Sequence, residues 1–485
     1  MMHEADLSAI LERCAGRTVL VLGDAMLDRY VSGDVHRISP EAPVAVLRRR
    51  GGFAVPGGAA NVARNIAALG GRAVLVAARG DDAAGAELQA LLDAVPGVQA
   101  RCVIRGGPTT VKTRFVSHGQ QLLRVDEEDD PADADDAVLA VTAAALDSAA
   151  ILLLSDYAKG VLSDAVLDGA IAAARRRGVA VVADPKRADF AAYHGVDVLT
   201  PNLHEAARAS GVSGSDDEAA ARAGEHALQR AAAHAVLVTR SERGLTLVRR
   251  DLPPLHLPTH AQAVVDVSGA GDTLVAAFAL ALAAGAEAPA AAHLANLAAG
   301  IVVGKPGTAV VAAEELASAL RHRRMDALDE KVVTRPSAAA QVRDWQRAGL
   351  RVGFTNGCFD LIHPGHVRLL RAARAACDRL VVALNTDASV RRLKGPSRPV
   401  QDEAARATVM AGMAPADLVL LFDEDTPEAL IESLRPDILF KGADYTLAQV
   451  VGADLVRGYG GEVRLIRLEE GHSTSSTIAR IGARA

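Results

Sequence analysis

Aromatic residues make up only 3% of the 485 positions, with a single tryptophan. A base-stacking surface for single-stranded nucleic acid is not expected, and the interior must be built mainly from Ala, Val and Leu. Cysteine is also scarce: Cys14, Cys102, Cys358 and Cys377 stand far apart with no CxxC pair. That pattern argues against a zinc knuckle or a disulfide framework and fits a reducing cytoplasm. No apolar run approaches the roughly 20 residues that cross a bilayer, and the opening Met1-Met2-His3-Glu4-Ala5-Asp6 is acidic where a signal peptide would be basic. Neither sign of charge dominates, since 53 Lys and Arg face 59 Asp and Glu for a net charge of −6. No global field draws polyanions, so any phosphate must be gripped by a local pocket. The expectation is a cytoplasmic protein with small-molecule partners, without nucleic acid or membrane.

What is abundant is apolar residue, at 50%. Runs rich in Val, Leu and Ile recur at 18–22, 73–78, 151–155, 180–183, 196–199 and 235–239, mostly separated by Ala-rich stretches with helical spacing. This rhythm predicts an α/β domain around a largely parallel sheet buried on both faces. The Gly-rich, polar stretch 101–125 interrupts it and reads as a short antiparallel flap. A second rhythm at 351–355, 379–384, 417–422, 437–440 and 463–466 predicts a smaller, Rossmann-like α/β domain. The expected organisation is a domain over 1–325, a linker over 326–350 with one helix near 338–348, and a domain over 351–485. The acidic run Asp126 to Asp136 contains Pro131 and lacks the glycine of a calcium loop, so it reads as a solvated loop.

In the first half, Asp266-Val267-Ser268-Gly269-Ala270-Gly271-Asp272-Thr273 runs directly into an apolar helical stretch. Glycines ahead of a helix let the backbone approach an anion, and the first-turn N–H groups with the helix dipole hold a phosphate oxygen. Gly269, Ala270 and Gly271 are the candidate anion hole, and Asp272 is the candidate general base toward a substrate hydroxyl. An ordinary glycine loop capped by Asp272 is the plainer alternative. Gly57, Gly58 and Asn61 precede another helix and suit a polyhydroxylated substrate, as do the carboxylates Asp24 and Asp28. Asn202-Leu203-His204-Glu205 follows a strand and is spaced to reach magnesium directly or through water. Two decoys fall away. Gly300 to Lys305 is one residue short of a P-loop and is followed by Pro306, and His204-Glu205 lacks a zincin's second histidine.

These segments, in this order, resemble the ribokinase-like (PfkB) sugar kinases over about 10–320. The anchors are G-G-x-x-N at Gly57, Gly58 and Asn61, N-x-x-E at Asn202 and Glu205, the Thr239-to-Gly244 turn, and D-x-S-G-A-G-D. The resemblance implies ATP-dependent phosphorylation of a sugar oxygen, with Asp272 as base and Asn202, Leu203, His204 and Glu205 near the nucleotide phosphates. No metal ligand is directly assigned; Mg2+ is expected through the phosphates, with Glu205 reaching it through water. Gly244 and Asn296 would border the adenine. A substrate with a distal phosphate needs a cationic clamp, for which Lys112, Arg114 and Lys186 are the candidates.

In the second half, Thr355-Asn356-Gly357-Cys358-Phe359-Asp360 makes a strand and tight turn, and His363-Pro364-Gly365-His366 opens a helix. Two histidines three apart face one side of that first turn, where their N–H groups can hold nucleotide phosphates. No third ligand stands at zinc spacing. H-x-G-H, together with Ser473-Thr474-Ser475-Ser476-Thr477-Ile478, resembles the nucleotidyltransferase superfamily of the cytidylyltransferases over about 351–480. The resemblance implies that Asn356, Gly357 and Phe359 line the phosphate turn. His363 and His366 would stabilise the α-phosphate, and Ser475, Ser476 and Thr477 would donate to the triphosphate. Lys394 and Lys441 are further phosphate candidates, each equally readable as surface charge.

The fusion in this order is similar to the bifunctional heptose kinase and adenylyltransferase family of Gram-negative bacteria. It implies two steps toward ADP-heptose for the lipopolysaccharide core, with ATP and Mg2+, and a homodimer through the kinase domain. The residues leave open CTP in place of ATP, another sugar or polyol phosphate, and a nucleotide sensor without turnover.

Overall fold

The computed structural model describes residues 4–129, 134–259, 264–329, 331–442, 446 and 449–466. Two compact units divide between Arg321 and His322. The first is organised by nine strands in the spatial order Leu252–Leu257, Leu245–Arg249, Ala235–Thr239, Val198–Leu199, Ala180–Asp184, Ile151–Ser155, Thr18–Gly23, Arg72–Arg79 and Val98–Ile104. The seven from Ala235–Thr239 to Val98–Ile104 are parallel, and the first two close the edge as antiparallel strands.

Alternation explains why the central strands read as unbroken apolar runs. Val19 and Val21 enter one core with the helices Ala59–Ala68, Ala270–Ala283 and Ala288–Val302, while Leu20 and Leu22 enter the other with Asp164–Arg176 and Asp217–Arg230. All four side chains are completely buried. A strand covered on both faces has no polar side to show.

The flap is larger than its sequence suggests. Its four strands, in the order Ala45–Gly58, Ala25–Ile38, Val111–Ser117 and Gln120–Glu127, include two of 14 residues that carry no apolar run. The start of the stretch expected at the flap, 101–104, belongs instead to the strand Val98–Ile104, which pairs with Arg72–Arg79 at the edge of the main sheet.

The second unit holds five parallel strands in the order Leu418–Phe422, Arg379–Asn385, Val352–Gly357, Ile438–Gly442 and Glu462–Ile466. The helix Arg335–Arg347, which falls in the expected linker, buries Ala338 and Val342 completely in this unit's core. Val333 N–H also donates to Val419 O at 2.9 Å. Much of 326–350 is therefore part of the second fold.

Candidate active sites

The first candidate site lies at the carboxyl ends of the parallel strands, where loops of an α/β sheet converge. Gly269, with φ of 79°, caps the helix Ala270–Ala283 in the left-handed region that glycine adopts cheaply. A Cβ on Gly271 would meet nothing within 4 Å, so the first turn is open to an anion. Asp272 occupies that turn. Asn61 Nδ2 donates to its Oδ2 at 2.6 Å, and the Tyr157 hydroxyl donates to Oδ1 in a short hydrogen bond. The next residue, Thr273, donates its Oγ1 to Asn65 Oδ1 at 2.8 Å, one turn on from Asn61, so adjacent contacts join the two helices. Burial pushes the Asp272 carboxyl up to about 6; the Asn61 and Tyr157 hydrogen bonds pull it down, and Asp28 adds to the rise. Such a group is ionised at neutral pH yet basic enough to take a proton.

A cavity of about 180 Å3 opens beside Asp272, bordered by Asp184, Lys186, Asn202, Glu205 and Thr239. Asn202 Oδ1 accepts from Glu205 N–H at 2.8 Å, and Glu205 Oε2 accepts from Asn202 N–H at 3.0 Å, forming a capping box on the helix Leu203–Ser210. Glu205 Oε1 also meets Lys186 Nζ at 3.1 Å. Lys186, expected at a sugar's distal phosphate, thus stands with the Asn202–Glu205 group. Leu203 packs on the core and His204 is exposed, and neither borders the cavity.

Asp184 was not among the sequence candidates. Its carboxyl is pushed well above the usual range by desolvation first, then by the charges of Glu205 and Asp272. The available signal was an acid ending a parallel strand. Among the described residues no three His, Cys, Asp or Glu side chains form a metal-binding group. The cavity nevertheless offers hard oxygen donors at Asp184 and Glu205, which fit an ion that arrives on phosphates and takes one or two protein carboxylates.

On the flap side the expectations divide. Asp24, expected to bind sugar hydroxyls, is 1% exposed and spends its carboxylate on the N–H groups of Tyr157, Lys159 and Val161, each at 2.9 Å. It is a loop clamp. Asp28 accepts from Arg114 Nη1 at 2.6 Å, so this arginine is already engaged by a carboxylate. A Cβ on Gly57 would lie 2.3 Å from Asp28 Oδ2, so any side chain there would displace that carboxylate. Lys112 is half-buried on the flap, and desolvation lowers its pKa.

Gly244 and Asn296, expected at the adenine, both brace the segment 257–259. A Cβ on Gly244 would lie 1.9 Å from Leu257 O, and Asn296 Nδ2 donates to Pro258 O at 2.7 Å. Asn296 is only 3% exposed, so its amide supports the wall from behind.

In the second unit the strand Val352–Gly357 delivers Asn356 and Gly357 to a turn, and His363 caps the helix Pro364–Ala375. The His363 and His366 rings stack with centroids 3.8 Å apart. Desolvation lowers His366 to about 4, with His363 contributing in the same direction, so the imidazole is neutral at physiological pH and offers a hydrogen bond rather than a charge.

Phe359, expected to line the phosphates, is 5% exposed and packs its ring 5.0 Å from that of His366, supporting the histidine from the core. Lys441 Nζ reaches Asn356 O at 3.0 Å, and Lys394 is exposed at the end of its helix. Behind the turn, Arg406 is 1% exposed and donates to Cys358 O and Asp387 Oδ1, both at 2.7 Å, a brace that sequence reasoning missed. Ser475, Ser476 and Thr477 lie outside the described residues.

Residues 17–315 match the family described as pfkB family carbohydrate kinase, and residues 354–480 match the cytidylyltransferase-like family. Bifunctional protein HldE of Caulobacter vibrioides is 53% identical over 471 residues, covering 97% of this chain and 98% of that protein. The HldE of Rhodospirillum rubrum is 52% identical over 485 residues, covering 98% and 97%. Among solved structures, phosphofructokinase-2 from Escherichia coli in complex with potassium aligns with a TM-score of 0.54 at 21% identity, over 63% of this chain and 99% of that one.

Proposed function

The chain belongs to the pfkB carbohydrate kinases through its first unit and to the bifunctional HldE proteins over nearly its whole length, and from that premise we propose how its residues divide two reactions. It is a bifunctional transferase that uses ATP, a kinase followed by a nucleotidyltransferase. The first unit phosphorylates D-glycero-β-D-manno-heptose 7-phosphate at O1. The second joins heptose 1-phosphate to AMP from ATP, giving ADP-heptose and pyrophosphate for the lipopolysaccharide core.

The observation that carries the kinase reading is the tethered Asp272 carboxylate at the open first turn of Ala270–Ala283. Asp272 takes the proton of the sugar hydroxyl as its oxygen attacks the γ-phosphorus of ATP and ADP leaves with the bridging oxygen, and the Gly269–Gly271 backbone receives the charge on the transferring group. Asp28, Gly57 and Gly58 shape the sugar side, with Lys112 for the distal phosphate. Lys186, Asn202 and Glu205 border the nucleotide phosphates, and Asp184 and Glu205 are the carboxylates that would hold Mg2+, which would supply neutralisation of phosphate charge.

In the second unit Asn356, Gly357, His363 and His366 receive the phosphates, helped by Lys394, Lys441, Ser475, Ser476 and Thr477. A sugar phosphate oxygen attacks the α-phosphorus and pyrophosphate leaves, without a covalent enzyme intermediate. The test is a panel of sugar 7- and 1-phosphates with ATP or CTP, read by mass spectrometry. Heptose phosphates with ATP should turn over best; preference for CTP or another sugar overturns the assignment.

The protein works in the cytoplasm, in keeping with free thiols at Cys14, Cys102, Cys358 and Cys377 and with the lack of a helix long and apolar enough to cross a membrane among the described residues. The flap leaves Ile38, Phe53 and Leu123 more than half exposed, at 68%, 61% and 57%, and a second flap would cover them in a homodimer. Phe53→Asp with Leu123→Asp should yield monomers by analytical ultracentrifugation; a parent chain already monomeric overturns the dimer.

A further inference from the structure

We propose that Tyr157 is a positioning residue of the kinase site: its hydroxyl holds one oxygen of Asp272 while Asn61 holds the other, aiming the remaining lone pairs at the incoming sugar hydroxyl. The inference rests on Asp272 being the base and adds the group that orients and tunes it.

The turn carrying Tyr157 is fixed from below. Tyr157 directly follows Asp156 after the strand Ile151–Ser155, and its N–H donates to Asp24 Oδ2. Lys159 N–H shares that oxygen and Val161 N–H takes Oδ1. A buried carboxylate with three backbone donors leaves the turn little freedom, which gives Asp24 its purpose. Gly58, with φ of 59°, sits against the same loop: a Cβ there would lie 2.4 Å from Asp24 O, while the Tyr157 ring is at ordinary contact distance.

The choice of donors has a chemical consequence. Asn61 and Tyr157 are both neutral, so they stabilise the carboxylate without the strong acidification that a contacting cation would impose. The charged groups facing this pair are Asp28 from the flap and Asp184 from the main sheet, which oppose ionisation. Lys186 faces Asp184 and Glu205, Arg114 is taken by Asp28, and Arg64 reaches Asn61 Oδ1 at 3.2 Å on the far side of the amide. Burial and the charge of Asp272 raise the phenol well above its ordinary range, so Tyr157 remains a donor wherever the kinase works.

The experiment compares Tyr157→Phe, Asp272→Asn and the parent as full chains, measuring kinase kcat and KM across pH with nucleotidyl transfer as an internal control. Tyr157→Phe should lower kcat roughly tenfold with little change in KM and move the acid limb of kcat/KM up by about one pH unit. Nucleotidyl transfer should not change. An unchanged kcat and acid limb in Tyr157→Phe, beside an inactive Asp272→Asn, overturns the role of Tyr157 alone; an active Asp272→Asn overturns the base itself. If Tyr157→Phe does not fold, 3-fluorotyrosine at position 157 keeps the shape and strengthens the donor. The acid limb should then move to lower pH, and an unmoved limb overturns the proposal.

Discussion

Asn61 and Asp272 stand 211 positions apart in the chain, yet the amide of one lies 2.6 Å from the carboxylate of the other. Both belong to helix first turns, and a Cβ on Gly269 would come within 3.1 Å of the same Asn61 nitrogen. The motif residues Asn61, Gly269 and Asp272 therefore form one contact set around the proposed kinase base.

Replacing Asp272 by Asn keeps the shape and removes the proton acceptor. Kinase turnover should fall by at least about 10²-fold, the lower range for a general base. Nucleotidyl transfer by the same preparation should stay at the parent level, and coupled-assay rates for both reactions check this.

Kinase pH dependence follows from the same carboxylate. Its pKa is raised to about 6, and it must be ionised to accept a proton, so kcat/KM should be full above about pH 7 and fall through 6 with a one-proton slope. The stability sign is opposite: the folded state binds this proton more tightly than an unfolded chain with a carboxyl near 3.8, so protonation of Asp272 favours folding as pH drops. A kinase pH–rate profile checks the limb, and a limb near pH 4 would contradict it.

His366 should matter only to the second reaction. His366→Ala removes the proposed phosphate donor and the ring that stacks on His363, so adenylyl transfer should fall about 10²-fold or more with kinase rates unchanged. Pyrophosphate release reads the first outcome and ADP formation with the sugar 7-phosphate the second.

The boundary can be tested by expression. A chain of 322–485 retains the helix Arg335–Arg347, whereas 345–485 discards Ala338 and Val342 from the core at a cost of about 3 kcal/mol. The longer piece should melt cooperatively, and the shorter one should melt lower or aggregate.

Most of the parallel strands were legible because burial on both faces writes them as apolar runs, as in Val19 to Leu22, whereas the edge strand Val98–Ile104, with no fully buried position, was not. The flap strands Ala25–Ile38 and Ala45–Gly58 were not, because their many half-exposed positions hide the period. In the sites, glycine-bearing turns before helices stood out, whereas Tyr157, Asp184 and Arg406 did not. Their roles arise from contacts such as Tyr157 with Asp272, 115 positions away, which local spacing does not encode. Asp24 shows the converse, an acid in a suggestive motif whose oxygens are spent on backbone N–H groups.

The most direct measurement is a crystal structure of the full chain with a non-hydrolysable ATP analogue. Two nucleotides per chain are expected, one with its γ-phosphate at Gly269–Gly271 beside Asp272, the other with its α-phosphate against His363 and His366. An analogue seated in another crevice, with either of these turns left empty, would contradict the two-site account.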